Sequence, residues 1–227
     1  MLRVFVGYDD RQAVSYHVLH ASIMRHASQP VSITPLVLPT LPMKRRGLTP
    51  FTYSRFICPY LCGFKGKSVF LDADMMVRGD IAELFKAAPS ACDVSVVKNK
   101  MKFEWSSVMV FDNELCQRLT PEFIDNERQN PLGLGWAERI GELPAAWNHL
   151  VGYDAPNPKA RLVHFTQGVP MWPETGGCEF ANEWRIEMMA LVQAQPWAAI
   201  MGSSVHAKPV LSRLQQTNKE SLQCPTQ

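Results

Sequence analysis

The stretch Ser68-Val69-Phe70-Leu71-Asp72-Ala73-Asp74-Met75-Met76-Val77 decides the predicted fold, because two acids interrupt an apolar, strand-forming run. In an extended chain alternate side chains share a face, so Asp72 and Asp74 project the same way. Two neighbouring carboxylates repel one another unless a cation neutralises them. Open α/β sheets bind their ligands where a buried strand emerges, which is where these acids lie. The pattern therefore predicts a divalent-metal site that serves a phosphorylated substrate.

The sequence before this stretch alternates between strand and helix patterns. An apolar run at residues 2–6 is followed by a helical stripe from Gln12 to His26 and a second strand pattern at residues 31–38. This order favours a parallel sheet with right-handed crossovers. Further strands are expected at residues 93–97, 105–111 and 160–165, and further helices at residues 51–62 and 179–195. The prediction is an α/β fold with a mostly parallel central sheet flanked by helices.

The composition indicates one globular domain. Of 227 residues, 46% are hydrophobic and 19% are charged, which is enough to bury a substantial core. We expect a single domain over residues 1–202 and a polar tail over residues 203–227. The net charge of +2 is dispersed, so a nucleic-acid partner is not expected.

The same features predict a cytoplasmic protein. No apolar run approaches the length of a bilayer span, and no signal-peptide pattern precedes the first strand. The six cysteines are scattered and form no zinc-finger spacing, which favours reduced thiols. Peripheral association with the inner membrane face is left open, because a surface-bound helix in the tail is compatible with the sequence.

A third metal ligand is expected at a later strand end. His164 closes the apolar run Ala160–Phe165, so a sheet can gather it at one edge with Asp72 and Asp74. Carboxylate oxygens suit Mg²⁺, and an added imidazole moves the preference toward Mn²⁺. Asp80 is instead expected to cap a helix, with an acid three residues on.

Several segments resemble the glycogenin-like glycosyltransferases of family 8. The segment from Phe70 to Phe85 is similar to the family's "LDAD" block and the acidic turn and "LF" that follow it. Four other segments are similar to family motifs in the same order: Val6–Asp10, Tyr53–Phe56, Trp105–Phe111 and His164–Trp172.

This resemblance implies a GT-A fold and a nucleotide-sugar donor, commonly uridine diphosphate-linked. It also implies a divalent metal, usually Mn²⁺, and sugar transfer with retention to a hydroxyl acceptor on a glycan, lipid or protein. The residues that it assigns are the metal ligands Asp72, Asp74 and His164; the uracil-binding Asp9, with Tyr8 beside it; Arg55, at the diphosphate or sugar; Ser106 and Ser107, in the sugar pocket; and Gly168, near phosphate.

The sequence departs from the family pattern at positions that bind the phosphate and the sugar of the donor. The family's phosphate-binding lysine has no counterpart in Val169-Pro170-Met171-Trp172, and Trp105 replaces an asparagine of the sugar pocket. The family's "DQD" segment is also absent, and Glu138 is the candidate for the carboxylate near the anomeric carbon. Lys159, Arg161 and the loop Lys44–Arg46 are the candidates to replace the lysine.

Two alternatives to a glycosyltransferase stay open. A nucleotidyltransferase shares the sheet topology and metal-bound phosphates, but Gly7-Tyr8-Asp9-Asp10-Arg11 matches its glycine-rich phosphate loop poorly. A nucleotide-sugar-binding protein with degenerate catalysis fits the missing lysine and the missing "DQD".

Overall fold

Two β-sheets organise the molecule, and the computed structural model describes residues 1–192. The six-stranded sheet has the order β2-β1-β3-β6-β5-β7, and the three-stranded sheet has the order β4-β9-β8. Three of the five pairings in the larger sheet are parallel. The strands are β1 (Leu2–Gly7), β2 (Val31–Leu36), β3 (Lys67–Leu71), β4 (Met75–Val77), β5 (Val94–Val96), β6 (Val108–Asp112), β7 (Ile140–Glu142), β8 (His149–Leu150) and β9 (Leu162–His164).

Helices cover both faces of the larger sheet. They are α1 (Ala13–His26), α2 (Phe51–Ser54), α3 (Cys58–Leu61), α4 (Ile81–Ala87), α5 (Pro121–Asp125) and α6 (Ala181–Val192). One layer packs α1 through Leu19 and Ile23 against Val4 and Val6, and Phe5 points to the opposite layer. This alternation along β1 is the two-residue period of a strand that is buried on both faces.

The predicted helix at residues 51–62 is broken in the structure. A 3₁₀ turn at Arg55–Ile57 separates α2 from α3. Pro59 has no N–H to donate to the carbonyl of Arg55, and the Cys58 thiol donates to that oxygen instead at 3.2 Å. The break turns the Arg55 side chain toward the interior of the protein.

The apolar residues on either side of the two acids form two separate strands, in different sheets. β3 ends at Leu71 in the large sheet, whereas β4 starts at Met75 and pairs antiparallel with β9 in the small sheet. Asp72, Ala73 and Asp74 therefore form the link between the two sheets.

The strand registers bring the functional segments to one edge. Val6 lies beside Leu71 in parallel, Leu71 lies opposite Val108, and Val96 lies opposite Met109. The ends of β1, β2, β3 and β5 and the start of β6 consequently share one edge of the large sheet, which we call the site edge.

Asp80 caps α4 as expected, since its carboxylate accepts a hydrogen bond from the N–H of Ala82. By its internal contacts the chain divides after Met188, and beyond that point only residues 189–192 of α6 are described. The predicted boundary at residue 202 and the tail from residue 203 lie outside the described residues. No helix within residues 1–192 is long and apolar enough to cross a bilayer.

Candidate functional site

Asp72, Asp74 and His164 come together at the junction of the two sheets. Each offers a ligand atom, and the three atoms all lie within 4.8 Å of one another. The pairing of Met75 with His164 brings the histidine beside the Asp72–Asp74 link. Nε2 of His164 is 3.3 Å from Oδ1 of Asp74. The structure thus brings together the three residues that the sequence predicts as metal ligands.

Asp72 is buried beside Arg55. Nη2 of Arg55 is 3.0 Å from Oδ1 of Asp72, and Nη1 is 3.5 Å from Oδ2. Burial raises the pKa of Asp72 to about 7 despite the opposing effect of the Arg55 charge. The same guanidinium donates to the carbonyl of Ser106 at 2.8 Å and to that of Phe51 at 3.2 Å. Arg55 is therefore bound within the protein and ties Asp72 to the start of β6.

His164 is 2% exposed and is held by Asn148. Its Nδ1 is 3.0 Å from Oδ1 of Asn148, whose Nδ2 donates to the carbonyl of Glu104 at 3.3 Å. This amide orientation makes Nδ1 of His164 the donor, so Nε2 is the nitrogen that faces Asp74 and that can bind a metal once it is deprotonated. Burial alone lowers the pKa of His164, but the carboxylates of Asp74, Asp72 and Glu104 outweigh it, so the pKa is raised.

The donor set fits a divalent cation. Oδ1 of Asp72 is buried and receives no hydrogen bond from the described residues, because the nearby Arg55 nitrogen lacks hydrogen-bond geometry. A buried carboxylate oxygen without a donor is costly unless a cation or water completes it. Two carboxylates and one imidazole are ligands that Mn²⁺ and Mg²⁺ accept, with the imidazole favouring Mn²⁺.

A cleft at the ends of β1 and β2 lies at the same edge of the sheet. Its volume is about 250 Å³, and it is lined by Tyr8, Asp9, Asp10, Val37, Leu38, Pro39, Arg46 and Pro50. The Asp9 carboxylate is held by Arg11, with Nη2 2.6 Å from Oδ2, and this contact lowers the pKa of Asp9. The Arg11 side chain is exposed, so the pair lies at the surface of the cleft.

Ser106 and Ser107 are buried at the site edge. Oγ of Ser106 accepts a hydrogen bond from Arg55 at 3.2 Å, and Oγ of Ser107 donates to the Glu104 carbonyl at 2.6 Å. Trp105 donates its ring N–H to the carbonyl of Asn99 at 3.0 Å, which anchors the loop after β5. All three lie in the segment that enters β6.

Glu138 is not brought to the other predicted residues. Its N–H donates to Asp93, which precedes β5 at the edge opposite the site edge. The side chain is exposed there. This position at the opposite edge does not match the expectation that Glu138 lies near the anomeric carbon. Gly168, at φ 110°, lines a separate cavity with Phe165 and Glu179.

Glu104 is the site carboxylate that sequence reasoning missed. Its Oε2 lies 3.7 Å from Nδ1 of His164, and its carboxylate also accepts from Ser107. The 3₁₀ turn at Lys102–Ser106 points it inward. Its position one residue before Trp105-Ser106-Ser107 was the available signal. The sequence does not reveal the contact of Asn148 with His164 either.

Comparison with known proteins places the chain in a family. No protein-family model matches it. It is 30% identical to Protein CDI of Arabidopsis thaliana over 223 residues, covering 82% of this chain and 85% of the plant protein. The chain belongs to the CDI family. The similarity between this CDI-family chain and its plant relative thus extends over most of both sequences and is not confined to an isolated motif.

Solved structures similar to this CDI-family protein are glycosyltransferases. The WbbM bifunctional glycosyltransferase has a TM-score of 0.64 and 16% identity, over 86% of this chain and 50% of that one. GlyE of Streptococcus pneumoniae TIGR4 has a TM-score of 0.64 and 15% identity, over 83% of this chain and 61% of that one. The galactosyltransferase LgtC was solved with donor and acceptor sugar analogues. It has a TM-score of 0.60 and 10% identity, over 87% of this chain and 99% of that one.

These likenesses confirm the predicted GT-A fold. At 10–16% identity they carry the fold and not the activity. The CDI-family chain spans about half of the WbbM chain and 61% of the GlyE chain.

Proposed function

We propose that this protein is a metal-dependent glycosyltransferase that moves a sugar from a nucleotide-sugar donor to a hydroxyl acceptor. The observation that carries the proposal is the Asp72-Asp74-His164 cluster at the strand-end edge of a GT-A fold. That edge is where open α/β sheets bind nucleotides. The segments that resemble family 8 lend support to a uridine diphosphate-sugar, to Mn²⁺ and to retention at the anomeric carbon.

Asp72, Asp74 and His164 would hold the metal. A bound divalent cation neutralises the charge that develops on a departing nucleoside diphosphate. Arg55 would stabilise the protein part of the site rather than contact the donor, because its guanidinium is already bound to Asp72 and to the Ser106 carbonyl. It partly offsets the cost of the buried Asp72 charge and so keeps a ligand in place for the metal.

Tyr8 and Asp9 would bind the base end of the donor in the cleft beside β1 and β2. For Asp9 to accept from the base, the exposed Arg11 side chain has to move aside or share the carboxylate. Arg46 is our candidate for the phosphate-binding cation. It lines the same cleft, and within residues 1–192 it forms no ion pair or hydrogen bond.

The other candidates for the missing lysine fit less well. Arg45 donates to the carbonyls of Ile124, Asn126 and Gln129, and Arg161 pairs with Glu83. Lys159 is exposed, on the chain that leads into β9.

Ser106, Ser107 and Glu104 would bind the sugar end of the donor. They precede β6 beside the metal cluster, and Glu104 brings a carboxylate that Glu138 cannot supply from the opposite edge. With donor and acceptor held side by side, the entropic part of the barrier falls.

The test is donor hydrolysis and transfer across a panel of nucleotide sugars. The full chain is incubated with uridine, guanosine or cytidine diphosphate-linked sugars, with Mn²⁺ or with chelator, and released nucleotide is quantified. We expect Mn²⁺-dependent release from one donor class, and loss of that release in Asp74→Asn. Asp112→Asn, at the opposite end of the same sheet, is the matched control and should retain it.

The outcomes separate the alternatives. Tight, Mn²⁺-dependent binding of a nucleotide sugar without release of free nucleotide supports a degenerate binding protein. Release of pyrophosphate from a nucleoside triphosphate supports nucleotidyl transfer. If neither wild type nor Asp112→Asn binds any donor, the glycosyltransferase proposal is wrong.

A further inference from the structure

Two loops at the site edge carry exposed apolar side chains. Leu48, on the loop after β2, is 94% exposed, and Phe103, on the loop after β5, is 66% exposed. Exposing an aliphatic or aromatic side chain to water is unfavourable relative to burying it. Single exposed apolar residues are common, but these two lie on loops that leave the same edge of the sheet as the metal cluster.

The loops stand on opposite sides of the site. In the order β2-β1-β3-β6-β5-β7, three strands separate β2 from β5, and Asp72 follows the middle one. At about 4.8 Å between neighbouring strands, the loop bases are roughly 20 Å apart. A flat surface resting on both apolar tips would face the opening of the site.

Free cations accompany Phe103. Lys98, Lys100 and Lys102 alternate along the same loop, all three are exposed, and none forms an ion pair within residues 1–192. Lys102 Nζ lies 5.6 Å from the centre of the Trp105 ring. Since the whole chain has a net charge of only +2, three unpaired lysines in five residues are a local concentration of positive charge.

We propose that this rim, made of Leu48, Lys98, Lys100, Lys102 and Phe103, docks the protein on an anionic lipid surface. The lysines match the negative headgroups, and the two apolar side chains match the boundary between headgroups and acyl chains. A nucleic acid would pair with the lysines, but it offers no apolar region into which an aliphatic side chain such as Leu48 could insert. Docking in this orientation presents the site edge to the headgroups.

The test is sedimentation of the full chain with vesicles, without any sugar donor. We expect binding to vesicles of phosphatidylcholine with phosphatidylglycerol, weak binding to phosphatidylcholine alone, and weaker binding at high salt. Reversal of Lys98, Lys100 and Lys102 to Glu should lower the partition coefficient by at least about 100-fold, since each cation near an anionic surface contributes about fivefold and the new carboxylates are repelled. Phe103→Ser should lower it by about tenfold.

Matched controls lie at the opposite edge of the sheet. Lys65, Arg118 and Arg139 reversed to Glu make the same change in net charge, and Leu115→Ser removes an apolar side chain that is 44% exposed. Both controls should bind anionic vesicles like wild type. Equal losses in rim and control variants, or no vesicle binding at all, overturn the proposal. If Phe103→Ser instead abolishes self-association seen by analytical ultracentrifugation without vesicle binding, the rim is an interface between copies of this chain. Because no donor is present, a failure here leaves the proposed transferase activity untouched.

Discussion

Nε2 of His164 lies 3.3 Å from Oδ1 of Asp74, across the antiparallel pairing of β9 with β4. The two residues are 90 positions apart in the chain, and the register of two three-residue strands brings them together. Because the Asn148 amide occupies Nδ1 of His164, Nε2 is the nitrogen available for a metal.

Asp74→Asn should lower metal-dependent turnover at least about 100-fold while the protein stays folded. The substitution removes one ligand charge from a partly exposed side chain, so little of the core is disturbed. Nucleotide release with Mn²⁺ and the thermal midpoint are the two measurements. Full activity in this variant with metal present would contradict the ligand assignment.

Asn148→Leu should weaken Mn²⁺ binding by about 10- to 100-fold, because Nδ1 of His164 loses its acceptor and the ring its orientation. Calorimetric titration of Mn²⁺ measures the affinity, and electron paramagnetic resonance measures the nitrogen coupling to the ion. The lost hydrogen bond should also cost about 1–3 kcal/mol of unfolding free energy. A variant that loses stability but binds Mn²⁺ like wild type would show that Asn148 has a structural role alone.

The stability of the metal-free protein should fall as the pH rises from 5 to 8. Burial raises the pKa of Asp72 to about 7, above its value in the unfolded chain. A folded-state pKa that is raised contributes stability at low pH, and this contribution disappears as the pH rises through about 7. Asp72→Asn should flatten the decline, by on the order of 2 kcal/mol.

Urea unfolding in chelator at a series of pH values measures this slope. The pKa of His164 is also raised and acts in the same direction; Asp72 contributes to that rise, so Asp72→Asn reduces the His164 contribution as well. Parallel pH profiles for wild type and Asp72→Asn would rule out the buried carboxylate as the source.

Glu104→Gln and Glu138→Gln should differ in their effect on turnover. Glu104 lies beside His164 and Ser107 at the site edge, so neutralising it should lower turnover by at least about tenfold. Glu138 is exposed at the opposite edge, so its substitution should change turnover less than about twofold. The reverse ranking of the two variants would restore Glu138 as the carboxylate near the sugar.

Local sequence patterns predicted the parts of the fold that depend on local periodicity. The apolar stripe of α1 and the apolar run of β1 predicted those elements to within about a residue of their observed ends. The end of β3 at the two acids was predicted, but β4, the short strand that follows them, was not. Its three residues form a strand only through their pairing with β9, and that contact is far away in sequence.

The candidate site was predictable where a motif or strand end marks it. Asp72, Asp74 and His164 each lie beside a strand end, and the structure brings them together. Glu104 and Asn148 carry no such mark, since a 3₁₀ turn and a long-range amide contact set their positions. Glu138 also carries no such mark, and it is an exposed residue at the opposite edge.

The link Asp72-Ala73-Asp74 joins two separate sheets, and this has a mechanical consequence. An ion bound by Asp72 on one side and by Asp74 and His164 on the other would fasten the small sheet to the large one. Metal binding would then slow hydrogen exchange at Met76 and Val163, which pair with one another in β4 and β9 next to the ligands. The two sheets would be held rigidly together when the ion is bound and would move more freely against each other without it.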